Sequence, residues 1–130
     1  MLEIGLNYEK GGILQKDIAA NQDISFRTLD HLLLALKTAD LITNATGKKI
    51  GYTLTRPPSQ ITMFDIQKAL EPVICVVDCV SVHFSCDRGN FCSAKGFWHE
   101  LNDQIINYFK GVTLEDMVLD QKKHLTVERI

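Results

Sequence analysis

Cys79, Cys86 and Cys92 fall in one stretch, CVSVHFSCDRGNFC, with six and then five residues between them, in a chain with only one other cysteine, Cys75. Thiols gathered in this way can ligate a metal ion or an iron-sulfur cluster, cycle between redox states, or pair as disulfides. A disulfide framework is not needed here, because 130 residues at 45% hydrophobic content can bury a core without one. The start, MLEIGLNYEKGG, has no basic stretch leading into an apolar run and a cleavage site, and no apolar run approaches a membrane span. A cytosolic protein with no membrane association is therefore expected, and in that compartment clustered thiols stay reduced and act as metal ligands or redox groups. Which metal, and for what purpose, these residues leave open. Cys75 lies in the apolar, strand-like run VICVVDCV and reads as buried packing.

The net charge of -2 argues against a generally basic surface, but the charge is unevenly spread. Between Ser25 and Pro58, Arg27, Lys37, Lys48, Lys49 and Arg56 outweigh Asp30 and Asp40, whereas the segments on either side are net acidic. A local basic region of this kind is what phosphate binding requires.

The elements that would carry these groups can be read in order. Leu2 to Lys10 forms a short helix ended by Gly11 and Gly12, and Gln15 to Asn21 forms another, with Ile18 and Ala19 inward and a tight turn QDI after it. Ser25 is placed to cap a third helix, along which Leu29, Leu32, Leu33 and Leu36 follow the i, i+3, i+4, i+7 pattern of a buried face. Arg27, His31 and Thr38 then lie opposite, flanked by Thr28 and Asp30. Two helices joined by a tight turn, the second with polar side chains outward, describe either a helix-turn-helix or an ordinary helical hairpin.

The following segment favours the first. LITNATGKKIGYTL reads as strands at Leu41 to Thr46 and Ile50 to Leu54 around a turn bearing Lys48 and Lys49, which makes a basic wing beside the recognition helix. After the punctuation RPPSQ, Thr62 caps a helix to Leu70 with Asp65 as its capping-box partner. In GFWHELNDQIINYFKG, Phe97, Trp98, Leu101, Ile105, Tyr108 and Phe109 form an apolar stripe too wide for a small domain to bury alone, so a symmetric helix-helix contact is expected. Glu115 and Asp116 follow Thr113, which caps a last helical turn. No P-loop, dinucleotide glycine pattern, His-Glu-x-x-His or nucleophile elbow is present, so an enzyme is not expected.

Taken in order, these segments resemble the Rrf-two family of bacterial winged-helix transcription regulators. LQKDIAANQDISFRTLDHLLLALKTADLI is similar to the family's helix-turn-helix, and GYTLTRPPSQITMFDIQKALE to its wing strand and following helix. FWHELNDQIINYFKGVTLEDM is similar to its dimerisation helix and terminal turn. The resemblance implies a homodimer that binds a palindromic DNA operator, with base contacts from Ser25, Arg27, Thr28, Asp30 and His31. It also implies that Cys79, Cys86 and Cys92 stand where cluster-binding members carry their three cysteine ligands. A fourth ligand is not evident. Some members place a histidine three residues after the last cysteine, where this chain has Lys95, and others use an acidic residue near the N-terminus. His83, Cys75, a residue outside the sequence or a small molecule are the remaining candidates.

The expected fold is mainly α with a small β-hairpin wing, in which a winged helix-turn-helix domain is followed by a long C-terminal dimerisation helix. Its expected divisions are a DNA-binding domain at 1–72, shortened at its N-terminus relative to the family, and a cysteine-bearing loop at 73–96. A dimerisation helix with a terminal turn at 97–119 and a tail at 120–130 complete it. The expected function is a DNA-binding regulator, a repressor modulated by an iron-sulfur cluster or by thiol state. The alternative is a clusterless or zinc-bound dimeric module with weakened DNA binding.

Overall fold

In a computed structural model of the chain, residues 1–47, 51–71, 74–81 and 91–128 are described. Helices α1 (Leu2–Leu6), α2 (Gln15–Gln22) and α3 (Phe26–Thr38) precede an antiparallel hairpin of β1 (Ile42–Asn44) and β2 (Tyr52–Leu54). Helices α4 (Met63–Leu70), α5 (Ala94–Gly111) and α6 (Leu114–Val127) follow. One-turn 3-10 helices occupy Pro58–Gln60 and Asp78–Val80.

Helix α1 is shorter than its sequence predicts. The Asn7 side chain donates to the Glu3 carbonyl at 2.8 Å, and the chain then turns through Gly11 and Gly12 at φ 88° and 118°. Those positive φ values exclude further helix and favour glycine. Helix α2 likewise ends where Asp23 enters the left-handed region, at φ 50°. Glu3 reaches across to accept from Gln22 and Asn21, bracing α1 against the last turn of α2.

Helix α3 starts as its sequence dictates, with the Ser25 hydroxyl accepting from the Thr28 N–H at 3.2 Å. Leu29, Leu33 and Leu36 are buried. Leu32, expected in the core, is 38% exposed, because it lies on the shoulder of the buried face, beside a crevice between α1 and α4. The core also takes Ile4, Ile18, Leu41, Ile42, Leu54, Ile61 and Leu114.

The hairpin pairs Ile42 with Leu54, Thr43 with Thr53 and Asn44 with Tyr52, and the Ala45 N–H donates to the Gly51 carbonyl at 2.8 Å; Ile50, expected to begin the second strand, lies outside the described residues. The hairpin gains a third line from Ile13, which exchanges both backbone hydrogen bonds with Tyr52, at 3.0 and 2.9 Å. Gly51 makes this approach feasible: a Cβ there would overlap the Ile13 carbonyl oxygen. Since backbone atoms cannot yield as a side-chain tip can, Gly51→Ala is expected to destabilise the protein by about 1–3 kcal/mol or more. Urea unfolding at equilibrium checks this, and an unchanged midpoint would refute the steric argument.

The run RPPSQITMFD has a structural explanation. Arg56 donates to the carbonyls of Gln60 and Asp40 and pairs with the Asp65 carboxylate at 3.6 Å. Asp65 also closes a capping box with Thr62 at the start of α4. Arg56 therefore serves to join the hairpin exit to α4, and its charge is partly spent there rather than added to the basic surface.

Two expectations about the C-terminal half are corrected. The stretch Ile74–Val77 is not a strand, and Cys75 within it is half-buried. The expected terminal turn and tail are instead one helix, α6, opened by a Thr113–Asp116 capping box in which the Thr113 backbone N–H holds the Asp116 carboxyl below its usual range. Leu114 and Val118 of α6 pack on α1, where Gly5 leaves room for the Val118 side chain. Residues Ile61 to Met63 pair with Val112 to Leu114 through two backbone bonds of 2.8 Å, which tie the end of α5 to the start of α4.

Candidate DNA interface and thiol site

Helices α2 and α3 meet across the short connection Asp23–Ser25, and α3 presents its outer face to solvent. Ser25, Arg27, Thr28, Asp30 and His31 are all exposed on or beside that face. Their chemistry is not equally free. The Ser25 hydroxyl is engaged in the cap and lies 2.9 Å from that of Thr28. Asp30 accepts a short hydrogen bond from the Gln15 side chain at the start of α2. Gln15 thus orients an acidic group on the outer face of α3, a role its sequence does not announce because the two residues meet only once the helices cross. Arg27 and His31 have no such partner among the described contacts and extend outward with Leu34 and Thr38 along one line of the helix.

The wing stands beside this face. Lys37 of α3 reaches Asn44 of β1 at 3.3 Å. An open cleft between the start of α2 and the hairpin root is lined by Lys16, Asn44, Gly47 and Tyr52, among others. Lys48 and Lys49 lie outside the described residues.

The thiol site is built on the approach to α5. Cys79 sits half-buried in the 3-10 turn Asp78–Val80, which packs against α5, and Cys92 is exposed immediately before the Ser93 N-cap of that helix. Cys86 and His83 lie outside the described residues. Among the described residues no three His, Cys, Asp or Glu side chains gather as a metal site. Three soft thiolate donors suit iron-sulfur ligation or zinc in kind, and Cys79 and Cys92 are both free thiols.

Asn102 in α5 anchors the stem at residues 74–77 that leads to the Cys79 turn, a role its sequence position alone does not announce. It is the one buried polar side chain among the described residues, 7% exposed. Its Oδ1 accepts from the Val76 N–H at 2.9 Å, and its Nδ2 donates to the Ile74 carbonyl at 3.3 Å. An asparagine inside an apolar stripe, three residues before Ile105 and four after Trp98, was the available signal.

The stripe itself is divided. Phe97 and Tyr108 are 61% and 76% exposed, whereas Trp98, Leu101, Ile105 and Phe109 are half-buried. Phe97 and Trp98 meet edge to face at 5.1 Å. The stripe's inner margin faces α4 and the stem, and its outer margin is open.

Two helices crossing at a tight turn, polar side chains outward on the second, and a hairpin packed beside them define a winged helix-turn-helix protein of the DNA-binding class. The chain belongs to the Rrf2, or Rrf-two, family: the family model, described as an iron-dependent transcriptional regulator, matches residues 1–120. It is similar to the HTH-type transcriptional regulator IscR of Cronobacter sakazakii, 27% identical over 122 residues that make up 94% of this chain and 75% of that protein. The structure of IscR from T. potens superposes with a TM-score of 0.74 at 25% identity, covering 95% of this chain and 80% of that one. CymR, the global cysteine regulator of B. subtilis, superposes with a TM-score of 0.72 at 26% identity, covering 90% of this chain and 85% of its own. These relatives are transcription regulators, and the protein is a DNA-binding transcription regulator rather than an enzyme. None of its described helices is long and apolar enough to cross a membrane.

Proposed function

We propose that the protein is a homodimeric repressor that binds a palindromic operator and whose affinity responds to the state of the Cys79, Cys86 and Cys92 thiols. The carrying observation is the position of two of them. Cys79 lies in a turn that packs against α5 and Cys92 leads into that helix, while the far end of α5 is bonded to the DNA-binding head. Arg27 reads guanine through its O6 and N7 acceptors, and Asp30, held by Gln15, accepts from a cytosine amino group. Lys48 and Lys49 neutralise phosphates beside the groove.

The three cysteines would hold an iron-sulfur cluster, which when bound supplies a group whose charge and integrity change with oxidants, nitric oxide or iron supply. The chain's own part is to place thiolates next to α5. The protein acts in the cytoplasm, where thiols remain available for this chemistry.

Operator capture from a random duplex pool, followed by titration in salt, tests the docking. Arg27→Ala is expected to relax base preference at one position by about 1–3 kcal/mol. Replacing both Lys48 and Lys49 with Ala should weaken binding to all sequences and reduce the salt slope by about 2. Equal, salt-independent effects from both changes would refute this orientation.

A further inference from the structure

We propose that Asn102 is the positioning residue that passes the state of the thiol stem to α5. This rests on the thiol-responsive reading above and names the part that carries it.

The stem around Cys75 has an apolar, β-prone sequence but pairs with no strand among the described residues. Its backbone is only partly buried, with Val76 39% exposed, so its polar groups face water on one side and α5 on the other. Asn102 provides two partners, one on each side of Cys75, with a single planar amide. Because the amide uses an acceptor and a donor together, it fixes both the distance and the rotation of the stem relative to α5. No other described hydrogen bond joins residues 74–77 to that helix. Cys79 follows a few residues later, in the turn that packs on the same helix.

The amide is also correctly placed to be felt by a partner. Asn102 falls on the stripe side of α5, between Trp98 and Ile105 and next to Leu101. A shift of the stem therefore pulls on the turn of helix that lies behind the open apolar margin. A wholly apolar residue here would fill the space but leave the Val76 N–H and the Ile74 carbonyl to water instead of α5, so the stem would detach at small cost to the rest of the fold.

The test compares the full-length wild type with Asn102→Leu and, independently, Val76→Pro, which removes the loop-side N–H and leaves α5 untouched. Each protein is prepared without oxygen, both empty and after reconstitution with ferrous iron and sulfide. Three quantities are measured: bound iron, hydrogen exchange at residues 74–80, and affinity for an operator selected by the wild type. Asn102→Leu should bind the same iron and, when empty, the same operator with wild-type affinity. Exchange at Val76 should accelerate about tenfold or more, and the loaded-to-empty affinity ratio should fall to about one. A purely structural role would lower both affinities and leave their ratio unchanged.

Retention of the wild-type ratio by Asn102→Leu, or by Val76→Pro should the first variant not fold, overturns the coupling. Slow exchange at Val76 in Asn102→Leu overturns the clasp itself. A wild type whose operator affinity ignores loading overturns the thiol-responsive reading and the coupling with it, an outcome distinct from either of the others.

Discussion

Tyr108→Glu is expected to leave the folded chain intact and to weaken operator binding by about a hundred- to ten-thousandfold, because the two reading heads would no longer be linked. Tyr108 is 76% exposed, so a carboxylate there adds no buried charge to the isolated protomer. In a two-fold contact between α5 helices, the same substitution places a charge on each side of the apolar margin formed with Phe97. A change at half-buried Ile105 or Phe109 would confound packing with assembly, which makes Tyr108 the cleaner probe. Sedimentation should show a monomer for the variant and a dimer for the parent at micromolar concentration. Wild-type operator affinity in a monomeric Tyr108→Glu protein would show that one head suffices and remove the dimer from the proposed mechanism.

Removal of any one of Cys79, Cys86 or Cys92 is expected to abolish iron and acid-labile sulfide in anaerobically purified protein, whereas Cys75→Ala should retain most of both. The difference follows from position. Cys92 leads directly into α5 and Cys79 sits in the turn packed on it, whereas Cys75 lies between the two backbone groups held by Asn102. Loss of one thiolate from a three-thiolate set leaves too few donors to hold a cluster against hydrolysis. An absorption spectrum with iron and sulfide assays checks each variant. A colourless wild type binding one zinc ion per chain through the same cysteines would replace redox sensing by a structural metal and leave the DNA-binding assignment standing.

Features that depend on neighbours in sequence were legible before the fold was known. The Ser25 cap and the Thr62–Asp65 capping box each need only a residue three positions away, and both are present. Helix α3 was likewise visible in its leucine spacing, apart from Leu32 at the edge of the stripe. What escaped was set by distant segments. VICVVDCV has the composition of a strand, but strand formation requires a partner edge, and here a side chain from α5 satisfies the backbone instead. Helix α6 carries many charges and a weak apolar pattern, and its stability comes from Leu114 and Val118 meeting α1 near the opposite end of the chain. Arg56 was counted among the basic groups because charge can be read from sequence, whereas its partners Asp40, Gln60 and Asp65 could not. At the candidate DNA face the residue types were readable, but the grip of Gln15 on Asp30 was not.

The backbone bridge between Ile61–Met63 and Val112–Leu114 has a mechanical consequence. It makes the C-terminal end of α5 a fulcrum on the DNA-binding head, while Cys92 leads into the opposite end and Asn102 holds the stem at mid-helix. The helix between the two ends has 18 residues and so is an arm of about 27 Å. A rotation of about 5° at the fulcrum corresponds to about 2 Å at the far end. Two such arms crossing in a dimer would convert a small displacement beside the thiols into a change in the separation of the two α3 helices, a distance that must match one turn of the duplex, about 34 Å. Operator affinity in such a device would be governed by gauge: the protomers would keep their reading surfaces and lose only the spacing at which both can seat together.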